Sequence, residues 1–137
     1  MDAKKEFPCE RFDINNEDDV RGAVMLSYSE IMSRYSDTGL ATQIATCISE
    51  LAMNIIKYAK YGELYIHYHN NRSIEIIAED HGPGIANIEQ AMQDHFSSKG
   101  TLGLGLPGVK RMVDEFEIQS TINHGTKIRV KKWINHY

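Results

Sequence analysis

One helical stripe constrains this chain more than any other feature: Ile44, Ile48, Leu51 and Ile55 recur at steps of four, three and four. That spacing lines four large apolar side chains along one helix face, which needs an equally apolar floor to cover it. Ser36-Asp37 supplies a cap, and the helix should end near Tyr61-Gly62. The floor follows directly, because residues 63–69 and 73–79 read as strands flanking the polar turn Asn70-Asn71-Arg72. Upstream, residues 6–14 alternate weakly through Phe7, Phe12 and Ile14 and stop at Asn15-Asn16, an opening strand before a helix cap. Residues 17–34 carry Val20, Val24 and Ile31 near helical spacing, with Tyr35 just beyond. Downstream, residues 85–103 have the character of a mobile loop with a short helix near 88–92. A helix over about 106–115 precedes closing strands 116–121 and 126–133, joined by Asn123-His124-Gly125. The order β-α-α-β-β-loop-α-β-β predicts a single domain, 1–137: an α/β two-layer sandwich with its helices on one face of a mixed β-sheet.

Composition narrows the functional classes. With 137 residues, 42% of them apolar, the chain buries enough surface to fold without disulfides or a structural metal. A net charge of −4 and the lack of a dense Lys/Arg block argue against nucleic acid as a partner. Cys9 and Cys47 lack the C-x-x-C spacing of zinc or redox sites and read as reduced thiols, Cys47 as a packing residue. Neither a signal-peptide core nor a run of about 20 apolar residues stands out, so the expectation is a soluble cytoplasmic protein with no membrane partner.

Four local features carry possible chemistry. Glu50 and Asn54 stand one turn apart on the second helix, with Lys57 three residues further on. Alone, such a triplet is an ordinary solvated helix face. Asp80-His81-Gly82-Pro83-Gly84 ends an apolar strand, where glycines let a flat ligand approach and an Asp can accept from an exocyclic amine; alone it is a capped turn. Gly100-Thr101-Leu102-Gly103-Leu104-Gly105-Leu106-Pro107-Gly108 opens a helix, and free N–H groups there can seat a phosphate. The same residues match G-x-G-x-x-G, but no strand precedes them and position 123 is Asn, so a dinucleotide fold is rejected. No Gly-Lys-Ser/Thr completes a Walker A loop either. Last, Gly125-Thr126 begins the final strand and could complete a pocket floor, though alone it is a hairpin turn.

Two further patterns read as structural. His67 and His69 share a strand face without a third metal ligand, and Lys127, Arg129, Lys131 and Lys132 suggest a solvated strand edge guarded by charge.

Taken in order, Glu50-x-x-x-Asn54, Asp80-x-Gly82-x-Gly84, Gly103-Leu104-Gly105-Leu106 and Gly125-Thr126 resemble the N, G1 and G2 boxes and closing Gly-Thr of the GHKL ATP-binding superfamily, the Bergerat fold. Within it, residues 102–118, LGLGLPGVKRMVDEFEI, are similar to the stressosome switch serine kinases of the RsbT type. The anti-sigma kinases of the RsbW and SpoIIAB type share the boxes and match this segment less well. The resemblance implies ATP and Mg²⁺ as cofactors, with Asn54 as metal ligand and Glu50 as general base. It places Asp80 on the adenine amine with Thr126 in support. Gly82 and Gly84 would admit the base, and Gly103, Leu104, Gly105 and Leu106 would cap the phosphates. Lys57, Lys99 and Lys110 are candidates for offsetting phosphate charge, and residues 85–102 would form a lid hinged at Gly84 and Gly100. It further implies a serine/threonine-protein kinase that phosphorylates a STAS-domain antagonist and, once released, activates a PPM-type phosphatase. An anti-sigma kinase and a nucleotide-gated binding module without phosphotransfer are the competing readings.

Overall fold

A computed structural model describes residues 9–70, 72–85, 87–92 and 105–134. Strand β1 (Cys9–Ile14) leads into helices α1 (Glu17–Tyr35) and α2 (Thr38–Ala59), followed by β2 (Gly62–His69) and β3 (Ser73–Asp80). Short α3 (Ile88–Ala91), then α4 (Gly105–Met112), β4 (Glu115–Thr121) and β5 (Gly125–Trp133) complete the described elements. Each long helix starts on a side-chain cap: Asn16 accepts from the Asp19 N–H at 2.9 Å and Asp37 from the Leu40 N–H at 3.0 Å. Such caps contribute about 1 kcal/mol each. The predicted fourth helix is shorter than expected, ending at Met112. Asp114 is drawn into the sheet instead, where its N–H donates to the Lys131 carbonyl and its carboxylate accepts from the Trp133 N–H.

The stripe behaves as its spacing requires. Ile44, Ile48, Leu51 and Ile55 are 1%, 0%, 0% and 2% exposed, so the whole face is desolvated. It packs against alternating residues of the sheet: Leu64, Ile66 and Tyr68 from β2, Ile74, Ile76 and Ala78 from β3, and Ile128 and Val130 from β5. Burying each such side chain contributes roughly 1.5–3 kcal/mol, which makes this layer the main source of stability. Contrary to the sequence reading, the 22-residue α2 is long and apolar enough by length and composition to cross a membrane, yet most of it is buried within the fold.

Cys47 lies in the same layer, fully buried, and burial pushes its thiol up to about 12. Cys9 is exposed. A thiol reagent at neutral pH should therefore label one thiol per native chain and a second only after unfolding in denaturant. Two fast-reacting native thiols would contradict this packing.

The sheet corrects two expectations. Its order is β1-β2-β3-β5-β4 and every described pairing is antiparallel, so it is not mixed. A crossover through α4 does return the chain parallel to β3, but β5 inserts between β3 and β4 and separates the two parallel strands. Consequently β5 is an interior strand rather than a guarded edge. Lys127, Arg129 and Lys131 lie on the helix-free face, where Arg129 pairs with Glu75, Glu115 and Glu117, while Lys132 follows Val130 in the inward register near the start of α2. Burial alone would raise the Glu75 carboxyl, but hydrogen bonds from Arg129 and His69 outweigh it and hold the group below its ordinary value. His67 and His69 stack at 6.1 Å, and no cluster of three metal-ligating side chains occurs among the described residues.

Candidate nucleotide site

On β3, β4 and β5 an apolar inward run ends in a polar residue at the same end of the sheet. Ile74, Ile76 and Ala78 are followed by Asp80, Val130 and Ile128 by Thr126, and Phe116 and Ile118 by Ser120. Ser120 pairs with Thr126, and Asp80 pairs with Gly62 on the other side. The result is a polar end on an otherwise apolar floor. Asp80 and Thr126 are each only 4% exposed.

Asp80 is held by its own loop and by β5. Its Oδ1 accepts the Gly82 N–H at 3.0 Å and the Thr126 N–H at 3.2 Å. Among the described residues no donor is placed on Oδ2, which leaves acceptor lone pairs for an incoming amine. Such a free acceptor suits an exocyclic amine.

Close backbone contacts bring this end of the sheet to α2. A β-carbon at Gly62 would stand 2.9 Å from Ile55 Cγ2 and 3.0 Å from Asp80 Cβ, so Asp80 lies beside the α2 turn that carries Asn54 and Ile55. A β-carbon at Gly82 would stand 2.4 Å from that of Ala59, seating the loop on the last turn of α2. Gly84 adopts φ +84°, in the left-handed region that favours glycine, and sits against the Thr121 carbonyl. The Asn123 N–H donates to the Pro83 carbonyl at 2.8 Å, clasping the loop to the β4–β5 turn.

Glu50 departs from a solvated helix face: it is 4% exposed, on the same helix as the core stripe. An ionisable side chain seldom becomes so buried without a role or a partner. Asn54, one turn on, is half-buried. Lys57 is exposed, with its ammonium 5.2 Å from the Tyr58 ring, and nothing described places it beside Asp80. Gly105 opens α4 with Leu106 buried behind it and Pro107 in the first turn, while Lys110 is exposed on the same helix. Gly103, Leu104, Lys99 and Gly100, and most of the expected lid, lie outside the described residues.

Ser120 escaped the sequence reading. Its hydroxyl oxygen accepts the Ile85 N–H at 2.6 Å and lies 2.8 Å from Thr126 Oγ1. A signal was available, since it is the one polar residue at an inward position in β4. A cavity of about 170 Å³ also opens at this end of the sheet, between Asp80, Gly125 and Thr126 and the outward-facing Glu79, Gln119 and Lys127. None of its walls comes from α2, so it is not the cradle that Glu50 and Asn54 would share.

Similarity to known proteins agrees with this geometry. The chain is 48% identical over 95 residues to serine/threonine-protein kinase RsbT of Bacillus subtilis, covering 67% of this chain and 71% of that protein. It is 35% identical over 101 residues to an anti-sigma F factor of a Geobacillus species, covering 68% and 69%. The mycobacterial sensor histidine kinase MprB shares the fold at 17% identity, with a TM-score of 0.54 over 92% of this chain and 97% of that one. Residues 39–135, from the first turn of α2 to past β5, match the histidine kinase-, DNA gyrase B- and HSP90-like ATPase family, and the chain belongs to that family.

Proposed function

We propose that this protein is a partner-switching serine/threonine kinase that uses Mg-ATP to phosphorylate a STAS-domain antagonist and, when released, binds and activates a PPM-type phosphatase in the cytoplasm. The observation that carries the reading is the buried Glu50 one turn from Asn54, on the helix whose next turn adjoins Asp80. The whole chain would act as one kinase domain.

Asp80 accepts the purine amine, with Thr126 fixing the carboxylate through its backbone N–H. The Asn54 amide oxygen suits Mg²⁺, a hard ion that keeps most of its shell for water and phosphate. The metal-nucleotide supplies the phosphoryl group and much of the charge neutralisation. Backbone N–H groups at the start of α4, at Gly105 and Leu106, would meet the phosphates. Phosphoryl transfer proceeds through a loose transition state, so Glu50 serves chiefly to orient the acceptor hydroxyl and to take its proton late.

The 35% identity to an anti-sigma F factor supports a second reading with the same chemistry and a sigma factor as an additional partner. The higher identity to RsbT favours the first. Mass spectrometry of the chain incubated with Mg-ATP and candidate STAS and sigma proteins tests both. A single phosphoserine or phosphothreonine on the STAS protein is the expected product. Fast ATP hydrolysis by the isolated chain with no phosphoprotein would replace the kinase reading with an ATPase one.

A further inference from the structure

Resting on the nucleotide-site reading above, we propose that Ser120 is a positioning residue that selects adenine by orienting the Thr126 hydroxyl proton, its own oxygen being held by the Ile85 backbone N–H. Ser120 Oγ has one proton to give and two lone pairs. One lone pair takes the Ile85 N–H at 2.6 Å, immediately after Gly84. The proton then has two acceptors in reach, Thr126 Oγ1 at 2.8 Å and the Gly125 carbonyl at 3.4 Å. Either hydroxyl can donate across the shorter contact; with the Gly125 carbonyl at the limit of bonding, the proposed arrangement gives the Ser120 proton to Thr126 and leaves the Thr126 proton for a ligand.

Thr126 Oγ1 thereby becomes an acceptor toward Ser120 and keeps its own O–H proton. Among the described residues nothing else bonds that hydroxyl, which stands beside the Asp80 carboxylate that its backbone N–H holds. The floor consequently offers an acceptor from Asp80 next to a donor from Thr126. Adenine presents the complement, an exocyclic amine beside an unprotonated ring nitrogen. Hypoxanthine presents the reverse, a carbonyl beside a ring N–H, and differs little in shape. The pair ATP and ITP therefore isolates edge polarity from size. Were Ser120 deprived of its hydroxyl, Thr126 could turn its proton either way, and the floor would lose its fixed polarity.

Equilibrium titrations of the full chain with ATP and with ITP test this, alongside melting curves. Wild type should prefer ATP by about tenfold or more, the scale of one exchanged hydrogen-bond pair. Ser120→Ala should reduce that ratio by roughly fivefold or more, and Ser120→Thr should restore it, because only the hydroxyl is required. In the cycle with Thr126→Val, the double variant should discriminate no worse than Thr126→Val alone, since both changes remove the same donor. Equal weakening of ATP and ITP in Ser120→Ala, or additive losses in the cycle, would overturn the role of Ser120 while leaving the site intact. Wild type that binds neither nucleotide would instead overturn the site itself. Ser120→Cys, which keeps the shape and weakens the donor, carries the same comparison if the alanine variant loses its melting transition.

Discussion

Asp80→Asn should weaken ATP binding by roughly 10- to 100-fold, the range expected when a hydrogen bond to a charged acceptor is lost. The local fold should survive. Asp80 Oδ1 already accepts the Gly82 and Thr126 N–H groups, and the carbonyl oxygen of an asparagine can take both. That arrangement forces the new NH₂ group into the place of Oδ2, where it meets the purine amine donor to donor. A melting temperature close to wild type with a large loss of ATP affinity is the expected pair of results. Affinity for ITP should fall less, or rise, because its carbonyl can accept from the new amide. Unchanged ATP affinity in a binding titration would remove Asp80 from the site.

Parts of this site were legible in the residues themselves, and the reason is periodicity. Steps of four, three and four in Ile44, Ile48, Leu51 and Ile55 express a helix that must cover a floor, and all four are buried. The two hairpins were equally readable from alternating strands around polar turns. Strand order was not, because the insertion of β5 between β3 and β4 depends on pairings distant in sequence. For the same reason, basic residues on β5 were mistaken for an edge. Glu50 showed its position on the helix but not its burial, which depends on what packs over α2. Ser120 lacked any motif, yet its place in the inward register of Phe116 and Ile118 marks it as a polar residue at a core position.

The polar row also explains why the motifs are spread along the chain. Each of β3, β4 and β5 ends its apolar run with one polar inward residue, and antiparallel pairing sets Ser120 opposite Thr126. The Asp80 loop is then clasped from two sides, by Ala59 on α2 and by Asn123 in the β4–β5 turn. The Ile85 N–H, just past Gly84, thus ends on the same hydroxyl that touches Thr126. The Asp80 loop and the β4–β5 end of the sheet therefore form one hydrogen-bonded unit.

Glu50→Gln should lower phosphate transfer to the partner by about 100-fold or more, the usual scale for removal of a general base, while ATP affinity stays within about twofold. Glutamine keeps the volume of a side chain that is 4% exposed, so packing against the α2 surroundings is preserved. What it loses is the ability to take a proton and the negative charge that aligns an acceptor hydroxyl. Glu50→Asp separates these two functions, since it retains the carboxylate but withdraws it by one methylene. Displacement on the order of 1 Å costs roughly 100-fold when alignment dominates, so the aspartate variant should be nearly as slow as the glutamine one. Single-turnover transfer of labelled phosphate, measured at saturating ATP and alongside a separate nucleotide titration, distinguishes the outcomes. Full activity in Glu50→Asp with loss only in Glu50→Gln would assign the effect to charge rather than alignment. Equal transfer rates in Glu50→Gln and wild type would leave Glu50 without a part in the reaction.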